Sequence, residues 1–311
     1  MASANGGIIG PNNDPTGVPI PAKPVNAVTP YTADGYWRAA PDTSAVCLLV
    51  VGGGGGGGSS GGGGFRNLTS ITYPTAGVPI TVGAGGPDSG PGDSRAGGDS
   101  EFGGTTPYAS SGGGAYRNPG GSGGSGFRNN GQPVPSVAAP CGSTPCGLGN
   151  IGGYSPSEGN SGGITVCSQA GAGGGGAGGR GNDMPGEGAS GEQGGPGSSS
   201  SITGSPVAYA GGGAGGGNPV ANWYPSGNPW GRTSAPPSPG GGGGSSGSAG
   251  TDGLGGGAGS GPGTPTGGSG VVIVKENNPT PQPASTFVTT ASGVWSLQGQ
   301  FALKKADLWT S

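Results

Sequence analysis

The chain has no histidine. That removes imidazole general acid/base catalysis, histidine metal ligation and the usual nucleophilic triads. Charge is also scarce: 8% of residues are charged and the formal net charge is −3. This slight acidity argues against nucleic acid, whose phosphates call for a basic patch. No apolar run reaches the length of a membrane span. The opening Met1-Ala2-Ser3-Ala4-Asn5 lacks the charged and apolar regions of a signal peptide. Hydrophobic residues make up 29% of the chain and aromatics 6%. An oil-like core on that scale cannot hold 311 residues together.

Glycine fills the gap. There are 85 glycines and 32 prolines, far outside the ordinary globular range. The first run extends from Gly52 to Gly64, broken only by Ser59 and Ser60, and follows the apolar stretch Val46-Cys47-Leu48-Leu49-Val50-Val51. Further runs occupy Gly112–Gly126, Gly171–Gly181, Gly211–Gly217 and Gly240–Gly270, the last leading into Val271-Val272-Ile273-Val274. No strict Gly-X-Y period persists, which excludes collagen.

Two physical states fit this composition. Low hydrophobicity with abundant Gly, Ser and Pro is compatible with disorder. The alternative is cohesion by the backbone itself, in a bundle of glycine helices of the polyproline-II type. Such a helix has three residues per turn, rises about 3.1 Å per residue and makes no internal hydrogen bond. Its amides must therefore find partners on neighbouring helices. Only glycine lets backbones approach closely enough, and it loses the most entropy on ordering. Low charge favours the ordered state.

The fold class expected is mostly β and irregular: a small β-sheet base carrying a polyglycine-II bundle, or glycine-rich sandwich, with a short C-terminal module. Residues 1–40 read as an N-terminal attachment arm, punctuated by Pro15, Pro19, Pro21, Pro24 and Pro30. Tyr31, Tyr36 and Trp37 are candidates for the start of the folded part. Residues 41–276 form the glycine-rich domain, 277–285 a Pro-rich linker and 286–311 the C-terminal module. In that module Ser296 is placed to cap a short helix, Leu297 and Phe301 share a face, and Lys304 and Lys305 lie near its C-terminus. Ala45–Val51 and Val271–Val274 read as buried strands. Val78–Val82 reads as a strand that Pro79 marks as an edge, and Ile71-Thr72-Tyr73 as a pairing partner for either it or Ala45–Val51.

Phe65-Arg66-Asn67, Tyr116-Arg117-Asn118 and Phe127-Arg128-Asn129 each follow glycine and read as turns whose aromatic caps the bundle. Cys141 and Cys146 are candidates to bridge a Pro-rich loop; Cys167 is an alternative partner, and spacing does not decide. Cys47 reads as an inert buried thiol. Asp88, Asp93, Asp99 and Glu101 invite a calcium reading, but their spacing matches no ligand loop and solvated turns suit them better. No metal or cofactor is expected. The stretch 218–239 crowds Trp223, Tyr224, Trp230 and Arg232 into a Pro-rich loop, suited either to binding sugars or protein loops or to a local mini-core. Phe65, Arg66 and Tyr154 complete the candidate binding residues.

Several of these stretches resemble the glycine-rich domain of tailed-phage tail-fibre proteins. They are Val50-Val51-Gly52 opening a polyglycine run, Gly97-Gly98-Asp99-Ser100-Glu101-Phe102-Gly103, and Gly267-Gly268-Ser269-Gly270-Val271-Val272-Ile273-Val274. Ser292-Gly293-Val294-Trp295-Ser296-Leu297 and Leu303-Lys304-Lys305-Ala306 are similar to a C-terminal motif of marine and cyanobacterial phage fibres, and Gly6-Gly7-Ile8-Ile9-Gly10 to openings of such virion proteins. The resemblance implies a non-enzymatic virion part, assembled in the host cytoplasm and exposed after lysis. Its arm would dock to other virion proteins and its loops would grip a host-surface receptor, protein or glycan. It implies no nucleic-acid partner, and a homotrimer or a single copy as the assembly. A capsid or tail decoration protein without a receptor is the alternative role.

Overall fold

A computed structural model describes residues 26–40, 43–73, 77–88, 95–103, 108–115, 118–125, 147–164, 171–183, 192–216, 238–244, 247–260 and 265–277. Among these residues the chain is strand and irregular backbone, with no α-helix. The expected C-terminal helix lies outside them.

The longest apolar runs make the central strands. β3 (Ala45–Val51) and β10 (Val271–Asn277) pair antiparallel through seven residues each, Val51 opposite Val271 and Ala45 opposite Asn277. β1 (Val28–Tyr31) flanks β10 and β4 (Phe65–Ile71) flanks β3, giving the order β1-β10-β3-β4. A second four-stranded sheet has the order β2-β5-β6-β7, from β2 (Gly35–Trp37), β5 (Val78–Thr81), β6 (Ser100–Phe102) and β7 (Ala109–Ser110). β8 (Ser198–Ser200) and β9 (Val207–Tyr209) form a separate two-stranded ribbon.

Alternation along β3 and β10 then decides the layering, because successive side chains face opposite ways. Val46, Leu48, Val50, Val272 and Val274 pack with Trp37, Val78, Ile80 and Phe102 of the second sheet. Leu49, Val51, Val271 and Ile273 face the other way, onto Ile202, Tyr209 and Ala210 beside the ribbon. The first sheet is thus covered on both faces, which is why its two central strands read as unbroken apolar runs rather than alternating ones. Fully burying each such side chain is worth about 1.5–3 kcal/mol. The aromatics seal the first core: Trp37 meets Tyr73 edge-on at 5.0 Å and Phe102 at 5.5 Å.

The open edges of the two sheets are stitched to each other. On one side the Tyr31 hydroxyl donates to the Tyr36 carbonyl at 3.2 Å. On the other, Arg66 Nη1 donates to the Ala109 carbonyl at 2.9 Å and the Tyr108 hydroxyl to that of Thr72 at 3.1 Å.

Two expectations are corrected. β5 is an interior strand, between β2 and β6, and not an edge. Pro79 is tolerated because β6 ends at Phe102, so the ladder asks no amide of it; its carbonyl accepts from Gly103 at 2.8 Å. Phe65-Arg66-Asn67 is not a turn capping the bundle. It opens strand β4, with Phe65 opposite Val51 and packed against Tyr209. Of the expected pairing segment Ile71-Thr72-Tyr73, only Ile71 pairs, as the last residue of this strand opposite Val46. β1 and β2 fall within residues 1–40, so the sheets begin at Val28.

Glycine threads continue the strands. Successive amides of Gly52 to Gly57 donate to Gly64, Gly98, Gly268, Gly61, Arg95 and Pro265 in turn. Every third amide therefore returns to the same neighbour, three residues along. Ser60 to Gly64 repeat the pattern toward Ala258, Gly114, Gly175, Gly255 and Ser111, and Gly211 to Gly215 toward Gly240, Gly195, Ser60, Gly243 and Glu192. At the tightest positions a side chain is excluded. A Cβ on Gly63 would stand 1.9 Å from the carbonyl oxygen of Gly52.

Candidate functional site

The strands that run into threads do so at one end, so the molecule has two poles. At the strand pole the described chain begins and ends side by side: Val28 pairs with Lys275, and the Glu276 amide donates to the Ala27 carbonyl at 2.9 Å. At the thread pole lies the turn at Gly57–Ser60. Gly57 has φ of +78°, and the side chain of Arg95 stands where its Cβ would be.

Described residues that flank six of the remaining segments gather around this turn. Ser125, ahead of 126–146, donates its amide to Ser59 at 3.0 Å. The hydroxyls of Ser59 and Ser260 share a hydrogen bond at 2.6 Å, and Ser260 precedes 261–264. Gly171, after 165–170, donates to Gly216, ahead of 217–237, at 2.9 Å; a Cβ on Gly171 would lie 3.0 Å from Ser59 Oγ. Glu192, after 184–191, accepts from Gly215 at 2.7 Å. Arg95 and Pro265, after 89–94 and 261–264, accept from Gly56 and Gly57.

Of the expected binding residues, Trp223, Tyr224, Trp230 and Arg232 lie outside the described residues, as do Cys141, Cys146 and Cys167. Arg66 and Tyr154 do come together, but at the junction of sheet and threads rather than at the thread pole. Phe65, next to Arg66 on β4, packs instead half-buried against Tyr209 and the second core. The Arg66 guanidinium stands 3.8 Å above the Tyr154 ring, a cation–π contact. Gly152 closes on the same ring: its Cβ would lie 2.1 Å from Tyr154 Cε2. Tyr154 is therefore a clamp between Arg66 and Gly152. Burial, and then the neighbouring Glu158 carboxylate, push its phenol above the usual range, against the opposing pull of Arg66.

Two residues that the sequence reading did not single out build this junction. Asn150, at φ of +59°, accepts at Oδ1 from the amides of Tyr154 (3.0 Å) and Glu158 (3.3 Å), and its Nδ2 donates to the Tyr154 carbonyl (3.0 Å). Glu158 is fully buried; Ser110 Oγ and the Ser111 amide donate to Oε2, and the Gly152 amide to Oε1. The loop so fixed presents Leu148 and Ile151 to solvent. The one available signal was Asn150 between glycine and Ile151, a residue type that tolerates the left-handed region.

Acidic side chains elsewhere serve backbone amides. Asp99 Oδ1 accepts from Gly112 at 2.7 Å, Asp34 from Val82 at 2.8 Å, Asp183 from Ile164 at 2.7 Å and Asp252 from Ser269 at 2.8 Å. Among the described residues no three Asp, Glu, Cys or His groups cluster as a metal site. Cys47 is half-buried, not buried as expected, with Asn277 Nδ2 at 3.7 Å from its sulfur. No family model, curated protein or solved structure matches the chain.

Proposed function

We propose that this protein is a virion tail-fibre or adhesin subunit of a tailed bacteriophage, which binds rather than catalyses. Its glycine threads are polyglycine-II helices bundled on a β base. The period-three exchange of amide bonds supports the helices: a three-residue turn aims every third amide at the same neighbour. Backbone cohesion of this kind needs no large core, so the bundle is a rigid spacer.

The observation that carries the role is the separation of the poles. The first and last described residues meet at the strand pole, while the described residues that flank most of the remaining internal segments lie at the thread pole. An attachment arm at one end and binding loops at the other is the layout an adhesin requires. The arm docks to other virion proteins. The stretch 217–237, with Trp223, Tyr224, Trp230 and Arg232, supplies host-receptor contacts, aromatics and arginine being the residue types that dominate such interfaces. The protein assembles in the host cytoplasm and acts outside after lysis.

Labelled particles viewed by electron microscopy test the placement, with the tag expected at a fibre tip; a tag on the capsid shell favours a decoration protein instead. Replacing Trp223 and Trp230 by Ala is expected to reduce adsorption to host cells without lowering thermal stability. Unchanged adsorption removes this stretch from the receptor-binding role.

A further inference from the structure

We infer that Glu276 is a mechanical latch, which keeps the N-terminal strands on β10 when the chain is pulled between its two poles. This deepens the adhesin reading and rests on it for the source of the tension. Glu276 lies on β10 at the strand pole and is 1% exposed. Its carboxylate takes donors from one short segment: Trp37 Nε1 to Oε1 at 2.9 Å, and the Ala40 amide and Thr43 Oγ1 to Oε2 at 3.2 and 3.1 Å. Just beyond, Ser44 donates its amide and its hydroxyl to the Asn277 carbonyl at 3.2 and 3.0 Å.

Stability alone is a weak reason for a buried carboxylate, since well-packed apolar residues often serve as well or better. Direction is the stronger reason. β1 runs from Val28 at the strand pole toward the threads, antiparallel to β10, with Val28 opposite Lys275 and Tyr31 opposite Val272. Tension between the N-terminal segment and the thread pole pulls β1 along its own axis, so its ladder bonds are loaded together. Once β1 yields, the path to release runs through Trp37 of β2, Ala40 and Thr43, which the carboxylate ties to β10. Tension between the two termini acts differently: it opens the ladder from Val28–Lys275, one pair after another.

The experiment is single-molecule stretching of the full chain. Clickable residues are placed at Ala2 and Asn182, which is near the thread pole, or at Ala2 and Ser311. The first rupture is expected at higher force in the first geometry than in the second. Trp37→Phe and Thr43→Val each remove one bond to the carboxylate and keep most of the packing. They are expected to speed the second rupture, which follows release of β1 and frees Trp37 and Thr43 from the carboxylate, about tenfold at a given force in the first geometry, the effect of losing one hydrogen bond to a charged group. Ile202→Ala weakens the core on the opposite face of the first sheet from Trp37 and is expected to leave that rupture unchanged. Equal forces in the two geometries, or equal effects of Ile202→Ala and Trp37→Phe, overturn the latch. Force asymmetry in a protein that proves to have no part in adsorption keeps the latch and removes the adhesin reading alone.

Discussion

Gly54 donates its amide to the Gly268 carbonyl at 2.8 Å, while the carbonyl oxygen of Gly256 lies 2.0 Å from where a Cβ on Gly54 would stand. Both neighbours are backbone, so neither can rotate away as a side chain can. Gly54→Ala is expected to cost about 3 kcal/mol or more, the upper range for forced overpacking. Gly77 is the control: nothing lies within 4 Å of its Cβ position. Gly77→Ala is expected to be neutral or to stabilise by about 0.5 kcal/mol through the unfolded chain. Urea denaturation of the two variants checks this, and equal effects would show that the glycines are interchangeable spacers.

That contrast explains what the sequence made legible. β3 and β10 were readable because an unbroken apolar run adjoining a glycine run has few other folded outcomes. The glycine runs announced close backbone contact, yet which thread meets which depends on turns such as Gly57–Ser60 that leave no pattern. β4 was misread because Phe65, Leu68 and Ile71 do not alternate; the register shift opposite Val46 and Leu48 breaks the period of two. β8 was invisible, since Ser198-Ser199-Ser200 has the composition of a linker and is a strand only by pairing with Val207–Tyr209. Arg66 and Tyr154 were named separately from their types. Their contact arises from the fold of the loop 147–158, on which no sequence spacing bears.

Asp99 is exposed, as expected, and also serves as a cap. Its carboxylate holds the Gly112 amide where the thread leaves β7. Asp99→Ala is expected to lower stability by about 1–2 kcal/mol, as for a lost hydrogen bond to a charged acceptor. Asp99→Asn, which keeps the oxygen, is expected to lose less than half of that. Calcium and a chelator are both expected to leave the melting temperature of the native chain unchanged. A calcium-dependent rise that Asp99→Ala abolishes would restore the cation reading.

Alkaline pH is expected to weaken the fold. Burial and then the Glu276 carboxylate raise the phenols of Tyr31 and Tyr73 above the ordinary 10.0, although a hydrogen bond with the Thr43 side chain acts the other way on Tyr73. Burial alone raises Tyr209. A phenol raised on folding binds its proton more tightly in the native state. Its contribution is intact below pH 10.0 and is lost as pH climbs through the raised native value. Denaturant midpoints are expected to fall across that alkaline window, less steeply in Tyr31→Phe. In spectrophotometric titration the native phenols should ionise later than those of the urea-unfolded chain. Superimposed curves would contradict the burial assigned to these three rings.

The junction loop separates a structural from a recognition role for Tyr154. Asn150 supplies three hydrogen bonds to this loop from a left-handed backbone. Asn150→Ala is expected to cost about 2 kcal/mol, from strain and unsatisfied amides together. Arg66→Ala and Tyr154→Ala, which break the cation–π clamp, should each cost about 1 kcal/mol. Ile151→Ser changes only an exposed side chain and should lie within about 0.5 kcal/mol of the native chain. If the loop is a clamp, adsorption to host cells should follow stability across all four variants. If it is a receptor contact, Ile151→Ser or Tyr154→Ala should reduce adsorption well beyond its effect on stability, and the binding face would then extend from the thread pole to the side of the sheets.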